Sequence, residues 1–249
     1  MEQADLNSTS AQDASGFETA GMARRRFDTV QRYDIYLFIH KGLRSFMGEV
    51  LTDVGRLDAE DAGERARLLA RVRGLLDVCR LHLDKENEYI HPAMEARRRG
   101  ASSRTAQDHV GHERAFGEIE TGVRAVETAS DATRTAVAAK LYRHLAVFVA
   151  ENFAHMEIEE AENNAVLWAT HTDAELLAVE QAIVASISPE QKAIMLRWMA
   201  PSLTPCERAR LFTGLKRGVP DEVFAGMLAL VKPHLGKREW SKLMAALSG

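Results

Sequence analysis

Apolar residues recur at intervals of three and four along most of the chain, the pattern of amphipathic α-helices. Four long segments show this pattern, and we predict helices over about residues 28–55, 60–98, 103–128 and 131–168. Runs that alternate between apolar and polar residues are scarce, so strands are not expected. Because the connections between the segments are short, successive helices should pack antiparallel. The sequence therefore predicts an all-α protein built on an up-down-up-down four-helix bundle.

Shorter helices are indicated after this region. Three Ser or Thr residues are each followed three positions later by Glu or Gln, which is the spacing of a capping box. The pairs are Thr172 with Glu175, Ser188 with Gln191, and Thr204 with Glu207. Pro189 and Pro205 follow two of these caps at the first helical position, where proline is favoured. We therefore predict a C-terminal extension of short helices over residues 171–249, either packed on the bundle or forming a small second lobe.

The N-terminal residues 1–24 are rich in Ser, Thr, Ala, Gln and Asp and show no apolar periodicity. Such segments bury too little apolar surface to fold by themselves, so we expect a flexible arm. The predicted domains are this arm, the bundle over residues 25–170, and the extension.

The composition and charge of the chain argue against several classes of protein. Hydrophobic residues make up 46% of the chain and charged residues 27%, values typical of a folded soluble domain. The net charge of −4 gives no electrostatic reason to expect nucleic acid as the main partner. No apolar run approaches the roughly 20 residues of a membrane span, and the N-terminus lacks the apolar core of a secretory signal. We expect a cytoplasmic protein that binds neither nucleic acid nor membranes.

Seven His and Glu residues lie on the apolar faces of the four predicted helices. They are His40, His82, Glu86, His109, His112, His155 and Glu159. Glu86 follows His82 by four residues, and Glu159 follows His155 by four, so each pair lies on one helix face about one turn apart. Burying these groups without a cation would cost several kcal/mol per unpaired ion. Imidazole and carboxylate ligands suit iron, manganese or zinc, and carboxylates that bridge two ions would favour iron or manganese.

The order, spacing and helix assignment of these residues resemble those of the hemerythrin-like (HHE cation-binding) domain family over about residues 28–170. The resemblance rests on His40, on His82-x-x-x-Glu86 followed by Ile90-His91-Pro92-x-Met94, on His109 and His112, and on His155-x-x-x-Glu159-Glu160. Hemerythrins hold a non-haem diiron centre with five histidines and two bridging carboxylates. The resemblance implies that role for His40, His82, Glu86, His109, His155 and Glu159.

The third helix departs from the family pattern. Many relatives carry its pair as HxxxH, whereas here the two histidines are three residues apart and Glu113 takes the fourth position. The second ligand is therefore His112, Glu113 or a water molecule, and we favour His112 because it continues the apolar face towards Phe116. Some relatives use the fifth position after the last histidine, so Glu160 is an alternative to Glu159.

His91 is a further histidine of the second predicted helix. It lies nine residues after His82, which places it about 180° around an α-helix. We therefore expect His91 on the surface, or in contact with a ligand from outside the site.

Three functions agree with these features. The main hypothesis is a diiron protein that binds dioxygen, peroxide or nitric oxide, in oxygen or redox sensing or in iron handling. The second is a diiron oxidase or peroxidase, which ranks lower because the sequence shows no signature of a substrate pocket. The third is a metal-dependent interaction module in which residues 171–249 contact a protein partner or a second copy of the chain.

Overall fold

The computed structural model describes residues 32–248, so the predicted flexible arm lies outside the described residues. This part of the chain is helical and contains no strand, which confirms the all-α fold. In chain order the elements are α1 (Leu37–Arg56), α2 (Ala62–Lys85), a π turn (Glu86–Ile90), α3 (His91–Arg97), α4 (Ser103–Thr128), α5 (Asp131–Ile158), a second π turn (Glu159–Asn163), α6 (Asn164–Thr170), α7 (Asp173–Ser186), α8 (Pro189–Ser202), α9 (Pro205–Gly218), α10 (Asp221–Val231), a 3-10 turn (Lys232–His234) and α11 (Lys237–Ser248).

Four rods form the bundle. The π turns join α2 to α3 and α5 to α6, so that each of these pairs runs as one rod. Helix α1 packs against α2 and α5, and α4 packs against the same two helices, which closes the bundle. Short connections between successive rods give the antiparallel arrangement that the sequence predicts.

The first helix begins later than predicted. Residues 32–36 precede it without helical structure, and α1 starts at Leu37. The carboxylate oxygen Oδ1 of Asp34 accepts hydrogen bonds from the backbone N–H groups of Tyr36, at 3.0 Å, and Leu37, at 3.1 Å. These bonds satisfy donors that the start of a helix leaves free, so Asp34 fixes the point at which the chain turns into α1.

The main apolar core lies inside the bundle. Leu75, Val72 and Leu145 are fully buried within it. Each such side chain contributes about 1.5–3 kcal/mol through removal from water. A smaller apolar cluster lies at one end of the bundle and includes Tyr36 and Met94. The His and Glu residues on the inward helix faces lie between these two clusters, which surround them with apolar side chains.

The first two helices of the C-terminal extension make apolar contacts with the bundle, and Glu207 of α9 pairs with Lys41 of α1 at 2.7 Å. Leu176 of α7 lies in the cluster at the end of the bundle. On α8, the Trp198 ring stacks on Phe46 of α1 with centroids 3.9 Å apart, and Met199 packs against Gly42. A Cβ on Gly42 would lie 3.0 Å from Met199 Cγ, so glycine permits this close approach.

The later helices of the extension have a core of their own. Helices α8 to α11 share a buried cluster, whose members are Leu196, Ala200, Phe212, Phe224, Val231, Leu235 and Leu243. Helices α7 and α8 thus pack on the bundle, while residues of α9, α10 and α11 pack with α8. The three capping boxes, at Thr172, Ser188 and Thr204, are confirmed. No helix of residues 32–248 combines the length and apolar character that crossing a bilayer requires.

Candidate metal centre

Both HxxxE pairs end at a π turn. Glu86 opens the first turn, where the His91 N–H donates to the Glu86 carbonyl, and Glu159 opens the second, where the Asn164 N–H donates to the Glu159 carbonyl. Each bond spans five residues in place of the four of an α-helix. Both carboxylate-bearing residues thus sit where one extra residue enters the helix, and the side chains that follow are rotated relative to a continuous α-helix.

The Glu86 carboxylate lies at the centre of the bundle and is 2% exposed. Its Oε1 lies 3.2 Å from Nε2 of His82 and 3.8 Å from Nε2 of His40. Its Oε2 lies 3.4 Å from Nε2 of His109. The two oxygens of Glu86 therefore face imidazoles from different helices.

The Glu159 carboxylate is fully buried and has the same arrangement. Its Oε2 lies 3.4 Å from Nε2 of His40. Its Oε1 lies 3.3 Å from Nε2 of His155 and 3.9 Å from Nε2 of His109. One oxygen of Glu159 thus faces the His40 side of the centre, and the other faces the His109 and His155 side.

The ligand atoms form two groups that share both carboxylates. In each group the atoms lie within 4.8 Å of one another. The first group is His40, His82, Glu86 and Glu159, and the second is Glu86, His109, His155 and Glu159. Ligand atoms bound to one ion at about 2.0–2.2 Å are at most about 4.4 Å apart, so only small shifts would bring each group onto one ion. The structure thus brings together six of the seven residues predicted from the sequence.

The donor set fits a cation because most of its buried atoms lack other partners, the exceptions being Nε2 of His109 and Nε2 of His155, which lie 3.1 Å apart. Within residues 32–248, the Nε2 atoms of His40 and His82 and all four carboxylate oxygens of Glu86 and Glu159 have no hydrogen-bond partner. Unpaired buried carboxylates cost several kcal/mol each, and native proteins rarely keep them. A bound cation would satisfy all of these atoms at once.

Three imidazoles have a polar partner at Nδ1, on the side away from the centre. The pairs are His40 with Glu160 at 2.9 Å, His109 with Asn87 at 2.8 Å, and His155 with Asp108 at 3.2 Å. Such a partner accepts the Nδ1 proton and leaves Nε2 free to bind a metal. Glu160 also pairs with Arg44, with Nη1 and Oε1 2.6 Å apart. Glu159 reaches the centre, whereas Glu160 lies on the outer side of His40.

Helix α4 carries His112 and Glu113, the two residues between which the sequence left the second ligand undecided. His112 is buried, with its ring centroid 4.8 Å from that of His155 and 6.3 Å from that of His109. Neither ligand group found among the described residues includes it. Glu113 is exposed and lies 3.9 Å from Arg80, so its carboxylate points away from the centre. His112 is therefore the neighbour of the centre at this position.

His91 lies inside the protein, so its expected surface position is wrong. Its ring stacks on that of His109, with centroids 4.9 Å apart and an interplanar angle of 17°. Its Nε2 lies 3.2 Å from the Thr105 hydroxyl. The π turn is the cause, because with one extra residue in the turn the separation from His82 corresponds to about 80° in place of 180°. His91 itself belongs to neither ligand group, but it packs against His109, which belongs to the second group.

Tyr36 is a neighbour of the centre that the sequence did not identify as a site residue. It is fully buried, and its ring lies over that of His40 with centroids 5.0 Å apart. Its hydroxyl accepts a hydrogen bond of 3.3 Å from Asn163 Nδ2. Burial raises the pKa of Tyr36 well above its ordinary value, and the charge of the Glu159 carboxylate adds to this effect. A tyrosine in an apolar pattern gives no local signal of this role.

Comparison with known proteins identifies the family. The family model described as hemerythrin HHE cation binding domain matches residues 32–167, more than half of the chain. The chain belongs to this family. Search of the curated proteins gave no match. The matched residues contain both candidate ligand groups, so the clustered His and Glu residues lie within the hemerythrin-family domain of this chain.

Electrostatics in this hemerythrin-family centre keep His82 and His112 neutral, but the neighbouring carboxylates raise the pKa of His40 and raise that of His155 to about 9. Burial, aided by neighbouring histidines, lowers the pKa of His82 and that of His112 to about 4. Burial alone would raise the pKa of Glu86 and that of Glu159, but their histidine contacts lower both. Burial likewise opposes the charge on His40, yet its contacts with Glu159, Glu160 and Glu86 raise its pKa well above the ordinary value. Neutral imidazole and carboxylate are the forms that bind metal ions.

A small cavity of about 10 Å³ adjoins the hemerythrin-family centre. His82, Glu86 and His112 line its polar side, and Leu43 and Phe116 line its apolar side. Such a volume holds about one water molecule or another very small ligand. The centre therefore has room for a small molecule beside the candidate ligands.

Proposed function

We propose that this chain is a non-haem diiron protein that binds dioxygen or another small oxidising ligand, in oxygen or redox sensing or in iron handling. One observation carries the proposal: the opposite oxygens of Glu86 and Glu159 face two different groups of imidazoles. Two carboxylates that each present one oxygen to either side suit a pair of ions, and helical bundles commonly hold such pairs. Iron or manganese suits bridging carboxylates better than zinc does.

The proposed ligands divide between two ions. His40 and His82 would hold one ion, and His109 and His155 the other, with Glu86 and Glu159 shared. We add His112 to the second ion, because its ring lies beside His155 and because burial and neighbouring histidines keep it neutral. The first ion would then have one imidazole fewer, which leaves room for a ligand on the His40 and His82 side.

Bound iron with an open coordination position would supply the affinity for dioxygen, peroxide or nitric oxide. The chain's own residues supply orientation and shielding. Glu160, Asn87 and Asp108 hold three imidazoles through Nδ1, so that Nε2 is fixed towards the centre before any ion binds. Tyr36 covers His40, and the apolar side chains around the centre limit the access of water.

The first experiment is metal analysis of the purified full chain. We expect about two iron ions per chain in the wild type, because the two groups are complete and share ligands. His82→Ala should reduce the content to about one ion, because His82 belongs to one group only. Glu86→Ala should lower it further, because Glu86 belongs to both. His144→Ala is the matched control, since His144 is exposed on α5 and should leave the content unchanged.

The second experiment compares visible spectra of the iron-loaded chain under anaerobic and aerated conditions. A reversible change that His82→Ala abolishes and His144→Ala preserves would support ligand binding at the centre. A wild type with one ion per chain, or iron-loaded protein whose spectrum is identical in both buffers, would contradict the proposal.

A second candidate function, signalling through the extension, is favoured by one contact. Met199 of α8 lies against Gly42, two residues after His40 in α1. A shift of His40 on metal or ligand binding would therefore press on the extension. Limited proteolysis of the full chain tests this: the cleavage pattern within α7 to α11 should differ between metal-loaded and metal-free protein. Identical cleavage patterns would contradict signalling through the extension and would indicate that the extension only covers one side of the bundle.

A further inference from the structure

A second cavity, of about 110 Å³, lies between the bundle and the extension. We call it the apolar chamber. Phe38, Ile39 and Ile90 line it from the bundle. Ile183 and Met199 are among the residues that line it from the extension. Neither part of the protein would enclose this space alone, so α7 and α8 give the centre a wall that the four-helix bundle does not provide.

The apolar chamber reaches the candidate ligands of the first ion. His82 and Glu86 line both the chamber and the small cavity beside the centre. The His82 side chain is 14% exposed, more than those of Glu86, at 2%, or Glu159, which is fully buried. His82 and Glu86 are therefore common to both spaces, on the side of the centre that carries fewer imidazoles.

Apart from the candidate ligands His82 and Glu86, the charged groups at the edge of the chamber are already bonded to neighbours. Glu180 accepts a hydrogen bond from the Tyr33 hydroxyl. Lys85 donates to Glu88 at 2.6 Å. The remaining lining is mainly Ile, Val, Phe and Met. Apart from the candidate ligands His82 and Glu86, a charged occupant would find no unpaired group to offset its lost hydration, whereas an uncharged apolar occupant would lose little.

We propose that the apolar chamber binds a small, uncharged, apolar molecule next to His82 and Glu86, and that α7 and α8 thereby select what reaches the centre. An apolar cavity of about 150 Å³ can hold benzene or xenon, so this chamber suits a molecule somewhat smaller than benzene. Binding in the chamber does not depend on a metal. Only the selection of what reaches the centre rests on the proposed function.

Xenon is the probe for occupancy. Full-length protein carrying ¹³C-methyl methionine is placed under increasing xenon pressure, with and without metal. The Met195 and Met199 methyl resonances should shift and saturate, because both residues line the chamber. Met227, which packs in the separate core of the extension, is the internal control and should not shift. Unshifted Met195 and Met199 resonances would overturn the proposal.

Val184→Trp tests the mouth of the chamber. Val184 lines the chamber yet is 46% exposed, so a larger side chain there should close the opening without displacing the core. Leu177→Trp is the matched control, because Leu177 is 40% exposed on the same helix and does not line the chamber. Val184→Trp should remove the xenon response and slow nitric oxide association with the iron-loaded chain by at least about tenfold. Leu177→Trp should change that rate by less than about twofold.

The outcomes separate the two proposals. If the wild type binds no metal, the proposed function fails, and the xenon shifts of the metal-free chain still decide whether the chamber binds. If metal content and spectra are as expected but xenon does not shift Met195 and Met199, only the chamber is refuted. If xenon binds and Val184→Trp leaves the nitric oxide rate unchanged, selection by the extension is refuted.

Discussion

The Nδ1 atom of His40 lies 2.9 Å from Oε1 of Glu160, and the same carboxylate pairs with Arg44. His40 is fully buried, so this contact fixes both the orientation and the tautomer of its ring. Nε2 is thereby directed towards Glu159 before any cation arrives.

Replacing Glu160 should therefore weaken metal binding without removing a ligand. Glu160→Gln is expected to lower the affinity for iron or manganese by about 10–100-fold, because a carboxylate partner of a ligating histidine is lost. Competition with a chelator of known affinity measures the change. Glu162→Gln is the matched control, since Glu162 is 58% exposed and pairs with Arg104 on the surface. Equal affinities of the two variants would show that the His40 contact does not support the site.

The two cysteines should differ strongly in reactivity. Both are free, but Cys79 is buried and Cys206 is exposed. Burial raises the pKa of the Cys79 thiol to about 12, so almost no reactive thiolate exists near neutral pH. Treatment of the folded chain with N-ethylmaleimide at pH 7.5 should give one adduct, at Cys206, by peptide mass spectrometry. Unfolded protein, the control, should give two, and rapid labelling of Cys79 in the folded chain would contradict its burial.

The core of the bundle should be sensitive to loss of volume on the inward face of α5. Leu145 is fully buried among bundle residues, so Leu145→Ala should lower the free energy of unfolding by about 2–5 kcal/mol. Val147 lies two residues later and is 57% exposed, so Val147→Ala should change it by less than about 0.5 kcal/mol. Urea unfolding of the metal-free variants measures both. Similar losses of unfolding free energy in the two variants would contradict the assignment of Leu145 to the core of the bundle.

Acid should weaken the contact between α3 and α7. Glu175 pairs with Arg97 and accepts from the Thr172 N–H at 2.7 Å, and these contacts lower its pKa from 4.5 to about 2. A carboxyl with a lowered folded-state pKa contributes stability above its unfolded pKa and loses it as the pH falls through the folded value. The Tm advantage of metal-free wild type over Glu175→Gln should therefore be full above pH 5 and shrink between about pH 4.5 and pH 2. An advantage independent of pH would contradict this assignment.

Local patterns were sufficient to predict much of the fold. The four long helices follow from apolar periodicity, and the capping boxes follow from pairs such as Thr172 with Glu175, because both signals lie within a few residues of the chain. The start of α1 was not predicted, since it depends on a side-chain bond from Asp34.

The centre was predictable only in part. Inward His and Glu residues share a helical spacing, so six of them could be named from the sequence. Asn87 and Asp108 could not be named from the sequence, because their contacts with His109 and His155 depend on which helix lies opposite each of them. The burial of His91 could not be predicted either, since no local residue pattern announced the π turn that precedes it.

The two π turns make the centre dependent on chain length at two points. Deleting one of residues 88–90 in the first π turn would restore a continuous α-helix and rotate the whole of α3 by roughly 100°. His91 would leave the ring of His109, and Met94 would leave the apolar cluster, although no ligand had been changed. Loss of one residue that is not a candidate ligand from either turn would thus rebuild the surroundings of the centre while leaving all of its candidate ligands in the chain.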